Sequence, residues 1–186
     1  MAYNAVLKRH PGSVSDAAKK IEAGVRWNDD GALAFTYILS GDLIRLRIPP
    51  SREPRRADRL WEHTCFEAFV AVKDQPAYYE INLAPSGEWA LYAFHRYREP
   101  GPPLTGKLAP EITVRRTTDS LELNATPRMD CFDAIEPGSH LSVALCAVIE
   151  DNRGILTYWA LAHPRGKPDF HHRDGFALEI RRPAEK

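Results

Sequence analysis

No stretch of the 186-residue chain is apolar for long enough to span a membrane, and its N-terminus carries no apolar signal-peptide core. Neither sign of charge is in excess. The 25 Lys and Arg residues balance the 25 Asp and Glu residues, so the chain lacks the basic surplus of a polyanion-binding protein. Cysteine is scarce: Cys65, Cys131 and Cys146 make an odd set without framework spacing. Such thiols suit a reducing compartment, where they act as small apolar fillers, and the expectation is a soluble cytoplasmic protein. Glycine-rich phosphate loops, serine elbows and paired CxxC motifs are missing, as are internal repeats, coiled-coil heptads and low-complexity tracts. The sequence therefore offers no independent catalytic motif, and neither nucleic acid nor membrane is expected as a partner.

One local excess of charge runs from Arg45 to Arg59, where six arginines cluster around three prolines and are interrupted by Glu53 and Asp58. A solvated Pro/Arg loop is the expected reading, in preference to a nucleic-acid patch. Elsewhere, fifteen prolines and eleven glycines punctuate short alternating segments, a pattern of many strands. Strands are expected near 23–27, 32–39, 43–48, 64–72, 77–84, 89–97, 111–116, 120–125, 141–149, 155–162 and 176–181. Helix is minimal, with candidates only at 15–21, capped by Ser15, and at 129–135. The fold class that follows is all-β, a single antiparallel β-sandwich of jelly-roll or immunoglobulin-like type over residues 1–186, with roughly ten strands.

The segment LWEHTCFEAFVAVKDQPAYYEINLAPSGEWALYAFHRY, residues 60–97, is the most informative. Strand side chains alternate, so Phe66, Ala68, Val70 and Val72 face one way while Trp61, His63, Cys65 and Glu67 face the other. A four-residue connection at 73–76 sets Phe69 opposite Glu80 and Glu67 opposite Asn82. Reading 85–88 as a second four-residue turn sets Asn82 opposite Leu91. On that register Tyr92 and Phe94 join Phe66, Val70, Ile81 and Leu83 in the core, while Tyr78, Glu80, Asn82, Trp89 and His95 share the face of His63 and Glu67. A polar sheet face needs no function, because one side of an antiparallel sheet commonly meets water. Aromatic residues among the polar ones set recognition beside that reading as an equal alternative. The hairpin at 141–162 repeats the pattern, with Tyr158 on the core side and Thr157, Trp159 and His163 opposite. An irregular segment, HPRGKPDFHHRDGF, then carries His163, Asp169, His171, His172 and Asp174.

Three chemistries can be drawn on this face. His63, Cys65 and Glu67 with His163, Asp169 and His171 contain metal-ligating groups, although the spacing matches no recognised ligand signature, and no metal ligand set is assigned. Cys65 near His63 has the residue types of a cysteine nucleophile and its base, but side chains two apart on a strand point in parallel. Glu67 and Glu80, diagonal across neighbouring strands, have the residue types of a glycosidase pair.

The blocks LWEHTCFEAFV, YYEINLAPSGEWALYAFHRYR and YWALAHPRGKPDFHHRDGF together resemble the bacterial DOMON-like proteins related to family 9 carbohydrate-binding modules. The resemblance spans about residues 58–176 and implies a β-sandwich whose concave sheet binds sugar, or haem in the cytochrome members. It makes Trp61, Trp89 and Trp159 sugar platforms, with Glu67 and Asn82 as polar anchors. Haem-binding members use Met and His; here Met129 is the only internal methionine, and a haem site would draw on two histidines, His63 and His163. The candidate ligand-binding set is therefore Trp61, His63, Glu67, Tyr78, Glu80, Asn82, Trp89, His95, Trp159, His163, Asp169 and His171. The function expected is binding of a small molecule, a saccharide or sugar-containing metabolite foremost, with a haem- or metal-binding domain, a protein-interaction module or a carboxylate/His hydrolase as alternatives. No cofactor is specified.

Overall fold

A computed structural model describes residues 2–105, 108–128 and 132–184. Among them the chain forms thirteen strands and short 3-10 turns, with no α-helix. In chain order the strands are β1 (Ala2–Val6), β2 (Lys8–Arg9), β3 (Ala18–Trp27), β4 (Leu33–Gly41), β5 (Cys65–Val72), β6 (Tyr78–Leu83), β7 (Trp89–Arg96), β8 (Glu99–Pro100), β9 (Glu111–Arg116), β10 (Ser120–Thr126), β11 (His140–Glu150), β12 (Leu156–Ala160) and β13 (Leu178–Arg181). They build a five-stranded sheet, β1-β3-β4-β10-β9, and an eight-stranded sheet, β2-β12-β11-β5-β6-β7-β8, with β13 also on β11. Every pairing between these strands is antiparallel, so the expected all-β sandwich is the fold.

The main core lies between the sheets. Phe35, Tyr37 and Leu39 of β4 and Leu121 and Leu123 of β10 meet Phe66, Val70, Ile81, Leu83, Val143 and Leu145 of the larger sheet. Tyr37 stacks on Phe66 with ring centroids 5.0 Å apart and donates its hydroxyl to the backbone oxygen of Glu67 at 2.7 Å, satisfying a polar group that would be costly to bury alone. A second, smaller apolar cluster, Phe69, Ala71, Tyr78, Ala144, Cys146, Ala160 and Phe176, occupies the outer face of the large sheet. Phe176 reaches it from the irregular segment before β13, so that segment is packed down on the sheet face.

Two differences from the expected elements have local causes. Residues 15–21 enter strand β3, not a helix: Ile21, Ala23 and Val25 bury on alternate positions, with a register shift between Ala18 and Lys20 absorbing the irregular start. Residues 43–48 form a 3-10 turn, Leu43–Arg45, followed by an isolated bridge from Leu46 to Asp151. The two-residue strands β2 and β8 are too short to show a period, and β1, although its five residues alternate between half-buried and exposed, is not among the expected strands. Met129 and Cys131, named above, lie outside the described residues.

Register decides what faces the outer side. Glu67 pairs with Asn82 and Phe69 with Glu80, as the 73–76 connection requires. The next hairpin departs from expectation, for Asn82 pairs with Ala90. Its loop has three residues, closed by the Ala84 N–H donating to Glu88 O at 2.9 Å, with Gly87 at φ 91°. A turn ended by glycine in the left-handed region adds one residue to a two-residue turn and inverts every face assignment beyond it. The 151–155 loop does the same, with Asp151 N–H bonded to Ile155 O and Gly154 at φ 81°. Trp89 and Trp159 thus turn inward to the main core, 6% and 4% exposed, and Tyr92, Phe94 and Tyr158 turn outward.

Candidate functional site

The outer face of β5, β6, β7, β11 and β12 forms the floor of a cleft of about 370 Å³. Glu67, Glu80, Tyr92, Phe94, Val148 and Tyr158 project from these strands. Trp61 enters from the 3-10 turn Leu60–Glu62, Arg98 from the turn between β7 and β8, and Pro168, Asp169, Phe170 and His171 from the irregular segment. That segment is pinned at several points. Arg173 donates to the backbone oxygens of Gln75 and Pro76 at 2.5 and 2.7 Å, and its guanidinium lies 5.0 Å from the Phe176 ring. Asp169 accepts from Tyr97 Oη at 2.6 Å, from Arg98 Nη2 at 2.9 Å and from the His171 N–H at 3.1 Å. Desolvation raises the Asp169 carboxyl, but those donors outweigh it and hold the group below the usual carboxylate range.

His171 is gripped by rings. Its centroid lies 5.1 Å from those of Phe69 and Phe94, each edge to face, and 5.8 Å from Tyr78. The Tyr78 hydroxyl accepts the Arg98 N–H at 3.1 Å and lies 2.8 Å from His171 Nδ1, so its own proton is free to be donated there. The ring proton of His171 then sits on Nε2, 3.7 Å from Glu80 Oε2. Burial, then the Arg98 charge, pushes the imidazole down to about 4, so at neutral pH the ring is uncharged.

Glu67 and Glu80 are 3% and 4% exposed. Asn82 donates from Nδ2 to Glu80 Oε1 at 2.7 Å, whereas Glu67 Oε1 is enclosed without a hydrogen-bond partner. Burial pushes the Glu80 carboxyl up to about 7, partly offset by the Asn82 bond and the Arg98 charge. The Glu67 carboxyl is pushed well above the usual range by burial and by the nearby Glu80. A protonated carboxyl both donates and accepts, so this floor can pair with hydroxyls, amines or water, while the rings above it offer flat apolar faces.

Of the residues expected from sequence, Trp61, Glu67, Glu80, Asp169 and His171 line the cleft, and Asn82 and Tyr78 support Glu80 and His171 from beneath. Trp89 and Trp159 do not: both are core residues, for the loop parity given above. His95 is exposed and lines a separate hollow beside Pro102 and Pro103. His63 pairs with Glu150 Oε2 at 2.7 Å, and His163 Nε2 bonds to Lys8 O at 2.8 Å with its ring against His10. Neither lines the cleft, so the two histidines a haem site would draw on are held by different partners. Among the described residues no group of three His, Cys, Asp or Glu is placed to hold a metal ion. Burial drives the Cys65 thiol up, away from a nucleophilic thiolate. Tyr92, Phe94 and Tyr158, expected in the core, line the cleft instead, and so do Phe170 and Arg98, which the sequence had not singled out. Counting Gly87 and Gly154 as left-handed loop closers would have recovered Tyr92, Phe94 and Tyr158; Arg98, at φ 54° in a tight turn, leaves no sequence signal.

The chain matches no described protein family and no curated protein. Its fold has solved counterparts. A protein from Bacteroides uniformis ATCC 8492, proposed to bind carbohydrate, superposes with a TM-score of 0.62 at 14% identity, covering 91% of this chain and 84% of that one. A family 9 carbohydrate-binding module from Caldicellulosiruptor kristjanssonii in complex with cellotriose gives 0.56 at 9% identity, covering 83% and 70%. A family 9 module from the same organism in complex with glucose gives 0.51 at 8% identity, covering 86% and 76%. At these identities the likeness is one of fold.

Proposed function

We propose that the cleft over Glu67 and Glu80 binds a saccharide. The observation that carries this reading is the pairing of two buried carboxyls with a wall of outward rings, Trp61, Tyr92, Phe94, Tyr158 and Phe170, in one cleft. A pyranose has an apolar CH face that packs on such rings and a rim of hydroxyls that need paired donors and acceptors. The fold shared with modules bound to cellotriose and glucose supports the same ligand class, as does the sequence resemblance to DOMON-like proteins. Binding is favoured over hydrolysis because both carboxyls are raised, whereas a glycosidase needs one held ionised beside its acid.

Isothermal titration of glucose, cello-oligosaccharides and a wider sugar panel tests the reading. Removing the stacking ring in Trp61→Ala should weaken the best ligand about tenfold, equivalent to about 1.4 kcal/mol. Tyr158→Ala, which removes a second ring of the wall, should weaken it by a similar factor. A panel without a single binder, or variants that bind as the wild type does, would refute the assignment.

A further inference from the structure

The floor of the cleft is short of positive charge. Glu67 and Glu80 sit diagonally on neighbouring strands, the arrangement that brings side chains within reach of one another. Of their four oxygens, Glu80 Oε1 has the Asn82 amide, and Glu67 Oε1 is enclosed with no partner at all. The ion pairs of the described residues include no lysine or arginine on either carboxyl. Arg98 lines the cleft but is engaged by Asp169 at 2.9 Å. His171, the nearest imidazole, stands 3.7 Å from Glu80 and is neutral above about pH 4.

Two buried carboxyls with no cation in contact, and only the more distant Arg98 charge acting on Glu80, can be neutralised in two ways: they keep protons, or they receive a cation. Burial, which raises both carboxyls, favours the first solution. The walls favour the second when a ligand enters. Ring faces carry negative quadrupole charge, so an ammonium beside Trp61, Tyr92 or Tyr158 gains from the rings as well as from the carboxylates. A neutral hydroxyl could pair with Glu67 Oε1, yet it would leave the charge of an ionised pair uncompensated. A protonated amine does both.

Building on the saccharide reading, we infer that the sugar held in this cleft carries a free amino group, as a hexosamine does, and that its ammonium docks between Glu67 and Glu80 with the sugar ring against the aromatic wall. The test compares three ligands by isothermal titration: glucosamine, N-acetylglucosamine and glucose. Acetylation removes the charge and adds bulk, whereas glucose removes the charge alone, so the pair of controls separates charge from fit. Glucosamine should bind at least tenfold tighter than both. Glu67→Gln, which keeps shape and removes ionisation, should bring glucosamine to within about threefold of glucose. Should that variant not fold, the wild type still decides: glucosamine affinity should rise between pH 5.5 and 7, as Glu80, raised to about 7, gives up its proton in exchange for the ammonium, and glucose affinity should not. Glucose binding with glucosamine no tighter, a preference that survives Glu67→Gln, or a flat pH profile overturns the amine and leaves the saccharide reading standing. No binding by any sugar overturns both.

Discussion

Glu80 holds a proton where an exposed glutamate would not, and this makes it a measurable liability to stability. Its carboxyl, raised from 4.5 to about 7 by burial, stays protonated in the folded chain at pH values where the unfolded chain has lost the proton. The stability contributed is full below about pH 4.5 and is lost as pH rises through about 7, a difference of about 3 kcal/mol at 1.36 kcal/mol per pKa unit. His171 works in the opposite sense. Its imidazole, lowered from 6.5 to about 4, contributes stability that is full above pH 6.5 and is lost as pH falls through about 4. Glu80→Gln isolates the first effect, since glutamine has no proton to lose and its oxygen still accepts from Asn82. Calorimetric melting should show the variant gaining on the wild type from pH 4.5 to pH 8, by several degrees at the upper end. A constant difference across that range would mean that Glu80 titrates normally.

At the scale of elements, loop length governs which side chains face the cleft. The 73–76 connection was legible, and with it the pairing of Glu67 with Asn82 on the outer face. The next two hairpins misled because tryptophan serves a core as well as a binding wall, so nothing in composition warned that Trp89 and Trp159 belong inside. The missing information was conformational: Gly87 and Gly154 sit where φ is positive, which marks three-residue loops. Strand membership, by contrast, read well in longer alternating runs such as β9 and β10, though the five alternating residues of β1 were missed. The irregular segment that brings Asp169, Phe170 and His171 over the floor has no period at all, and its docking through Phe176 is a tertiary fact. Gly154→Ala tests the loop argument cleanly. A Cβ there would meet only Glu150 Oε1, at 3.9 Å, so the left-handed backbone alone sets the cost at about 1 to 2 kcal/mol. Urea denaturation should report a destabilisation of that size, whereas an unchanged midpoint would remove the conformational explanation for the register.

On the scale of the whole molecule, the first strands tie the two sheets together. β1 forms the edge of the small sheet beside β3, β2 forms the edge of the large one beside β12, and Leu7 between them is buried. Deleting residues 2–9 would bare one edge of each sheet, and bare edges recruit other strands. Light scattering on such a truncation should detect larger species than the intact chain forms; an unchanged size distribution would show that β3 and β12 protect themselves. The same tie has a bearing on how the protein is made. Ser13 and the Tyr158 backbone it bonds to are 145 residues apart, and Lys8 and His163 are 155 apart. At a ribosomal pace of about 5 to 20 residues per second, β2 leaves the exit tunnel on the order of 10 seconds before the strand it must join has been translated. During that wait β2 is without the strand it pairs with. The charges of Lys8 and Arg9, exposed in the finished sandwich, are placed to repel neighbouring chains until the partner arrives.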